Sequence, residues 1–377
     1  MRKKQDSRPI GKSRSPKESA KRYAVQVIPG LEDLARMEIE QALENVSGTV
    51  NLPAGERNST VVFSSRSAPP RPEKLRLAED LFRVVVEARE VGTGPEGLAA
   101  IGESLDHPEI WSDALAEWRY LHHARQKNKT SYRIVSRADS SALFSRHALA
   151  RHTERILKRF TKPGWLPVEN QAEVEVWLQL TQRHFVAMLR LSDPTMRHRT
   201  YKEYHLPGSL RPTLAAALVT LTDPKPSDRF LDPMCGVGTI PLERSLWGPA
   251  RMIAGADINP EALFYCRQNS DQVDGPPAWL HCDAASLPFP DYSIDRVATN
   301  LPFGEKSGNP KEIPSLYGRV VSEVGRILRP GGIAVFLTSR KSTLLKAIGD
   351  RGPLYRIKSV RVKILGRSAE ITKVIKK

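Results

Sequence analysis

The chain has 377 residues, of which 40% are hydrophobic and 27% charged, a composition typical of a soluble globular protein with roughly two or three domains. No apolar run reaches the about 18 residues of a membrane span, so we expect no transmembrane helix. The formal net charge of +16 favours a polyanionic partner over charge that serves solubility alone.

The N-terminal region predicts a basic tail followed by a small α/β domain. Residues 1–21 lack an apolar core, so we expect a disordered tail rather than a secretory signal. The domain is expected over residues 22–95, with a Gly/Pro-rich boundary at its end. Its predicted elements are a strand over 22–29, a helix over 30–43, a strand over 60–65 and a passage from helix to strand over 75–89.

A second α/β module is predicted over residues 96–198. Its elements are a strand over 131–137, a helix over 142–160 and two strands over 173–191 that join near Gln182. The helix carries a run of basic side chains among apolar ones, which predicts a phosphate-binding face. The predicted RNA contacts are Arg146, Arg151, Arg155, Lys158 and Arg159.

The third region, residues 199–377, alternates strands and helices. This pattern predicts an open, mostly parallel sheet, closed at the C-terminus by a hairpin around Gly366. The expected strands lie over 229–234, 251–258, 278–284, 294–301 and 332–339, and a helix over 210–222 precedes them.

Cysteine usage gives no sign of a metal site or a disulfide framework. The three cysteines are Cys235, Cys266 and Cys282, and none forms a CxxC pair. This fits a reducing compartment, so we predict a cytoplasmic location and no metal.

The stretch "DPMCGVGT" places glycines where a strand turns into a helix. Gly236 and Gly238 would let a ligand approach the backbone closely. A GxG turn alone fits a purely structural turn at least as well as it fits a ligand-binding loop. A dinucleotide site would need a third glycine where Pro241 stands, and Asp232 instead precedes the loop.

Two further carboxylates follow the next two predicted strands. Asp257 could accept both hydroxyls of a ribose, because Asn259 is available to cap the following helix. Asp283 could accept the amino group of an adenine. Together with Asp232, they predict a nucleoside-type ligand without phosphates at the carboxyl edge of the sheet.

These motifs, with "GADINP", "CDA" and "NLPFG", resemble those of class I S-adenosylmethionine-dependent methyltransferases that act on exocyclic amino groups of nucleic-acid bases. The resemblance implies a Rossmann-like fold with a seven-stranded, mostly parallel sheet. It also implies that Asp232, Gly236 and Gly238 face the methionine part of S-adenosylmethionine, Asp257 the ribose and Asp283 the adenine. The remaining predicted cofactor contacts are Cys235, Thr239, Ile258, Ala284 and Asn300.

The stretch "NLPFG" supplies the predicted catalytic residues, Asn300, Leu301, Pro302 and Phe303. The Asn300 side-chain oxygen and the Leu301 carbonyl could accept the two N–H bonds of a guanine amine, while Pro302 stiffens the turn and Phe303 stacks on a flipped base. Leu301 departs from the commoner Asn-Pro-Pro-Tyr/Phe pattern, but its backbone carbonyl is available as an acceptor with any side chain. A plain strand-end turn is the alternative.

The N-terminal half resembles the ferredoxin-like and THUMP domains of tRNA-modifying enzymes, on the stretches 22–43 and 172–192. The combined resemblance implies a monomeric tRNA guanosine N2-methyltransferase that acts at position 6 of the acceptor stem. The nearest alternative is a ribosomal RNA guanine-N2 methyltransferase. The motif residues that are intact argue against a non-catalytic THUMP RNA-binding protein, and Pro241 in place of the third glycine argues against a nicotinamide-dependent dehydrogenase.

Overall fold

The computed structural model describes most of the chain. The predicted basic tail lies outside the described residues except at its C-terminal end. The described ranges are 20–52, 58–67, 69–123, 129–139, 142–161, 164–304, 311–349, 352–364 and 366–377.

The N-terminal half is built on one eight-stranded sheet of order β2-β3-β1-β4-β8-β7-β5-β6. In chain order its elements are β1 (Lys21–Val27), α1 (Glu32–Ala42), β2 (Val46–Asn51), β3 (Ser59–Ser65), β4 (Asp80–Ala88), α2 (Pro95–Leu105), α3 (Pro108–Leu121), β5 (Thr130–Ala138), α4 (Arg146–Leu157), β6 (Trp165–Pro167), β7 (Val174–Thr181), β8 (His184–Arg190) and the short α5 (Thr195–His198).

The two predicted N-terminal modules share this sheet. Strand β4 belongs to the first and pairs antiparallel with β8 of the second, from Phe82 opposite Arg190 to Ala88 opposite Phe185. The predicted joint between β7 and β8 is confirmed, because Gln182 and its neighbour both adopt positive φ angles at the tip of that hairpin.

One sequence prediction in this half is wrong. Residues 75–79 do not form a helix, although Leu75 and Leu77 are fully buried. The carboxylate of Glu38 on α1 accepts the backbone N–H groups of Arg76 at 2.8 Å and of Leu77 at 3.1 Å. These bonds satisfy the backbone of an irregular segment, so the apolar residues can enter the core without helical geometry.

The C-terminal half contains the predicted seven-stranded, mostly parallel sheet. Its order is β11-β10-β9-β12-β13-β15-β14, and only β15 runs against the others. The elements are α6 (Pro212–Leu221), β9 (Arg229–Asp232), α7 (Thr239–Trp247), β10 (Met252–Asp257), α8 (Pro260–Ser270), β11 (Ala278–His281), β12 (Ile294–Asn300), α9 (Ile313–Ile327), β13 (Leu328–Thr338), α10 (Lys341–Ile348), β14 (Leu354–Ile364) and β15 (Arg367–Lys376).

Helix α6 joins the two halves. Every residue of it except Thr220 is buried. Its apolar side chains belong to one hydrophobic core that also contains Tyr23 and Phe63 of the first sheet and Phe230 and Val335 of the second. Close contact at Gly30 adds to this junction, since a Cβ there would lie 1.9 Å from the carbonyl oxygen of a β14 residue. In the described part of the chain, no helix is both long and apolar enough to cross a membrane.

Candidate active site

The turn between β9 and α7 is shaped by its two glycines. Gly236 has φ +54° and Gly238 φ +83°, a region that favours glycine. A Cβ on Gly238 would lie 2.7 Å from the Trp279 ring, so no larger residue fits there. A Cβ on Gly236 would meet no atom within 4 Å, so the loop leaves open space at this position.

Asp232, the last residue of β9, is a buried acceptor with unused capacity. It is 1% exposed, and its Oδ1 accepts the Met234 N–H at 3.1 Å. Its Oδ2 is buried without a hydrogen-bond partner. Burial raises the pKa of Asp232 to about 7, and the Met234 N–H and the neighbouring Thr299 side chain partly offset that rise. A cationic group of a ligand would favour the ionised carboxylate here.

Asp257, the last residue of β10, holds the loop in place. Its Oδ2 accepts the Gly236 N–H at 2.8 Å and its Oδ1 the Asn259 N–H at 2.9 Å. Asn259 caps α8 as predicted, because its side chain accepts the Glu261 N–H at 3.0 Å. The cap does not leave Asp257 free, but each carboxylate oxygen keeps a second lone pair for a ligand hydroxyl.

The other predicted cofactor residues surround this loop. Asp283 follows β11 and accepts the Ala285 N–H at 2.9 Å. Ile258 is 65% exposed beside Asp257, an unusual position for a large apolar side chain. The remaining members are buried: Cys235, Thr239 and Ala284. The structure thus gathers the predicted cofactor set at the carboxyl edge of the second sheet.

Asn300 ends β12, the strand that pairs with β9. Its Oδ1 is buried and has no hydrogen-bond partner among the described residues. The Leu301 side chain is fully buried, and its N–H donates to the Leu337 carbonyl at 3.0 Å. This turn therefore begins with an anchored backbone and an unused amide acceptor.

Three residues that the sequence analysis missed hold this turn. The Tyr317 hydroxyl on α9 donates to the Pro302 carbonyl at 2.9 Å and lies 2.7 Å from the Thr338 hydroxyl. Arg340 Nε donates to the Phe303 carbonyl at 2.6 Å. Their sequence signal is weak, because Tyr317 lies on the apolar face of an amphipathic helix and resembles an ordinary core residue.

The predicted RNA-binding residues lie apart from this set, on and just after α4 of the N-terminal half. All five side chains are exposed, while Leu149, Ile156 and Leu157 on the opposite face are buried. Lys158 forms an ion pair with Glu154 at 2.9 Å, and Arg159 with Asp106.

The sheet order and the glycine loop after its first strand define the C-terminal half as a class I methyltransferase fold. The crystal structure of TrmN from Thermus thermophilus has the same overall fold. It superimposes with a TM-score of 0.78 at 24% identity and covers 94% of this chain and 99% of that one. The predicted α/β fold class with a Rossmann-like methyltransferase half is therefore confirmed, whereas the THUMP module stays a prediction.

Residues 199–370 match the family model described as UPF0020: RMKL-like, methyltransferase domain. The chain is also similar to the tRNA (guanine(6)-N(2))-methyltransferase THUMP3 of Mus musculus, with 31% identity over 236 residues, 59% of this chain and 46% of the relative. The chain spans about half the length of such curated relatives. A shorter relative, the tRNA (guanine(6)-N2)-methyltransferase of Thermus thermophilus, is 28% identical over 330 residues, 85% of this chain and 90% of the relative.

The residues at this edge fit S-adenosylmethionine. The unpaired Asp232 oxygen suits the ammonium group of its methionine part, and the space at Gly236 suits a ligand that lies against the backbone. Asp257 has acceptor capacity for a ribose, and the exposed Ile258 offers an apolar surface for an adenine ring.

Proposed function

We propose that this protein transfers a methyl group from S-adenosylmethionine to the exocyclic N2 amine of a guanosine in tRNA, at position 6 of the acceptor stem. The observation that carries the proposal is the Asn300 Oδ1 atom, which is buried and unpartnered at the end of β12. A buried acceptor without a partner is costly, and an N–H donor of a substrate would satisfy it.

In this mechanism the chain's own residues act by orientation. Asn300 Oδ1 and the Leu301 carbonyl accept the two N–H bonds of the guanine amine and turn its lone pair toward the cofactor. S-adenosylmethionine supplies an electrophilic methyl group when it is bound. Phe303 offers a ring on which the flipped base stacks. Because the reaction needs no covalent intermediate with the protein, positioning accounts for most of the expected rate gain.

The names of the relatives support the substrate. THUMP3 and the Thermus relative are both named as methyltransferases of guanine 6 in tRNA. Another relative, from Homo sapiens, is named as a U6 snRNA (guanine-N(2))-methyltransferase and is 30% identical over 190 residues. The shared chemistry is guanine N2 methylation, whereas the RNA differs between them. The +16 net charge is consistent with an RNA partner.

The test is to incubate the protein with labelled S-adenosylmethionine and, separately, with bulk tRNA, ribosomal RNA and a U6 transcript. We expect N2-methylguanosine in the tRNA digest, mapped to position 6. Labelled product from ribosomal RNA alone would favour a ribosomal RNA guanine-N2 methyltransferase. A chain that binds tRNA but yields no product with any RNA would be the non-catalytic protein.

We also propose that the protein works as a monomer in the cytoplasm and without a metal ion. Among the described residues, no group of three or more His, Cys, Asp or Glu side chains could hold a metal. Light scattering of the active protein measures the oligomeric state. An activity that disappears with a chelator and returns with one metal would contradict the metal-free reaction.

A further inference from the structure

A buried carboxylate on α7 reaches out of the methyltransferase half. Glu243 is fully buried, one helical turn beyond the glycine loop. Its Oε2 accepts from Arg76 Nε at 3.1 Å and also from the Nη2 atom of that guanidinium. Its Oε1 accepts from Tyr201 at 2.8 Å and from Arg199 Nε at 3.3 Å. Both oxygens are thus occupied by donors outside the seven-stranded sheet and its helices.

The donors come from two different parts of the chain. Arg76 belongs to the N-terminal half, in the irregular segment that Glu38 holds through the Arg76 N–H. Arg199 and Tyr201 belong to the segment between the two halves. Arg199 also donates from Nη2 to the Arg76 carbonyl at 2.7 Å, and its backbone has φ +57°, which arginine rarely adopts. This set, Arg76, Arg199, Tyr201 and Glu243, is called here the junction network.

The junction network is linked to the cofactor loop through the Trp279 ring. Tyr201 packs in one apolar cluster with Leu242, the residue before Glu243, and Trp279 packs against this cluster. Trp279 is the ring that leaves room only for glycine at position 238.

We propose that Glu243 is a positioning residue: through the junction network it fixes the orientation of the N-terminal half relative to the catalytic turn, and so selects which guanosine of a bound RNA reaches Asn300. This inference rests on the proposed function. A carboxylate that accepts hydrogen bonds from two guanidinium groups and a hydroxyl fixes the relative orientation of the segments that carry them. Apolar packing, by contrast, allows small displacements between the surfaces. The rest of the junction combines the apolar core around α6 with two simpler polar contacts. The Lys363 N–H donates to the Pro29 carbonyl at 3.0 Å, and Arg211 pairs with Glu79 at 2.8 Å.

The main test uses the full-length Glu243→Gln variant, which keeps the side-chain shape but removes the charge. The affinities for S-adenosylmethionine and for tRNA should change by less than about threefold, because neither ligand touches Glu243. The single-turnover rate at the wild-type guanosine should fall on the order of 10²-fold, as expected for a displaced reacting group. Methylation should appear at neighbouring guanosines, which site mapping of the product measures.

A matched control is Asp80→Asn. Asp80 is also fully buried and pairs with two arginines, Arg190 at 2.8 Å and Arg197, but both of these partners belong to the N-terminal half. We expect the substitution to lower the melting temperature without redistributing the methylated positions. A purely structural role of Glu243 predicts the same result for both variants.

If Glu243→Gln does not fold, Arg199→Lys is the second variant, because it keeps the charge but loses the guanidinium fork. A wild-type rate per folded molecule at a single wild-type position, in whichever variant folds, would overturn the proposal. Loss of cofactor binding would also overturn it, since Glu243 would then act on the loop itself. A wild-type protein that makes no N2-methylguanosine would instead reject the proposed function.

Discussion

The carboxyl edge of the second sheet and the exposed face of α4 both carry polar groups, but in opposite states. At the edge, one oxygen of Asp232 and the Asn300 Oδ1 are buried and have no partner among the described residues. On α4 the basic side chains are exposed, and Lys158 already pairs with Glu154 at 2.9 Å.

This difference indicates that the proposed catalysis depends on a few single atoms, whereas the proposed RNA binding is spread over many side chains. An unpaired buried acceptor can bind one donor of a ligand, so a single substitution removes that hydrogen bond completely. Exposed charges contribute to RNA binding as a sum that salt screens, so one substitution removes only a part. The five predictions below test this contrast, from the largest expected effect to the smallest.

Asn300→Ala should lower the single-turnover methylation rate by about 10²–10³-fold, because it deletes one preorganised hydrogen bond at the reacting group. The cofactor should still bind despite the predicted contact with Asn300, because Asp257 and Asp283 carry the main predicted contacts. Quench-flow on saturating tRNA measures the rate, beside a melting curve. Asn259→Ala, which removes a satisfied cap amide instead, is the control and should cost stability of about 1 kcal/mol but little rate. A near wild-type rate for Asn300→Ala would reduce "NLPFG" to a turn.

Reversal of Arg151, Arg155 and Arg159 to Glu should weaken tRNA binding by at least about 30-fold near 0.1 M salt and lower the salt slope by about three. Cofactor binding should not change. The single variant Arg151→Glu should show roughly a third of the effect on the free energy, since these contributions are nearly additive. Filter binding over a salt series measures both. Equal affinities for wild type and triple variant would place the docking surface elsewhere.

Asp257→Ala should weaken S-adenosylmethionine binding by about 1–3 kcal/mol, the usual cost of lost hydrogen bonds to a charged group. The variant also frees the Gly236 and Asn259 N–H groups, which Asp257 now satisfies. Calorimetry measures the affinity. Asp274→Ala, at an exposed position in the same half, serves as a control. Unchanged affinity in Asp257→Ala would contradict the cofactor site.

The pKa of Asp232 gives a proton-linked prediction. Burial raises it to about 7 in the ligand-free protein, and a ligand ammonium would lower it. Cofactor binding below about pH 7 should therefore release a proton, and affinity should rise with pH, by at most about tenfold per unit, before it levels above pH 7. Calorimetry in buffers of different ionisation enthalpy counts the protons. Asp232→Asn should lose this release, and a release that persists in it would assign the proton to another group.

Tyr317→Phe should give the smallest effect. It removes the hydroxyl that holds the Pro302 carbonyl at 2.9 Å, a bond worth about 0.5–1.5 kcal/mol, so the methylation rate should fall by a few-fold. Cofactor and tRNA affinities should not change. The exposed Tyr292→Phe is the control. A loss as large as that of Asn300→Ala would mean that the hydroxyl itself contacts the substrate.

The sequence predicted the catalytic half better than the N-terminal half, for physical reasons. The parallel strands β9, β10 and β12 are apolar runs that end in polar residues, so both the elements and the site edge could be read from the pattern. The prediction of a helix before β4 was wrong, because the backbone N–H groups of Arg76 and Leu77 donate to the distant Glu38 carboxylate and satisfy an irregular segment there. Helices α2 and α3 and strand β2 were not predicted.

Within the candidate active site, the residues of the motifs were predicted, but the residues that hydrogen-bond to the turn and hold it in place were not. Asn300 lies in a recognisable stretch of sequence. Tyr317 and Arg340, by contrast, bind the carbonyls of this turn from positions 15 and 37 residues farther along the chain. Glu243 lies in a helix and looks like an ordinary surface acid until Arg76 is brought beside it. Such long-range pairings carry no local signal. The domain boundaries and the roles of the individual site residues stay predictions.

Helix α6 has a consequence for how this chain can be cut. Because the same helix fills the core beneath both sheets, neither half has a complete interior without the other. A fragment that starts at residue 199 would present the outer side of α6 to water, an apolar surface prone to aggregation. We therefore expect a single cooperative melting transition for the two halves. We expect that the C-terminal half does not fold when it is fused to an unrelated RNA-binding domain. A working chimera would need both halves from the same protein.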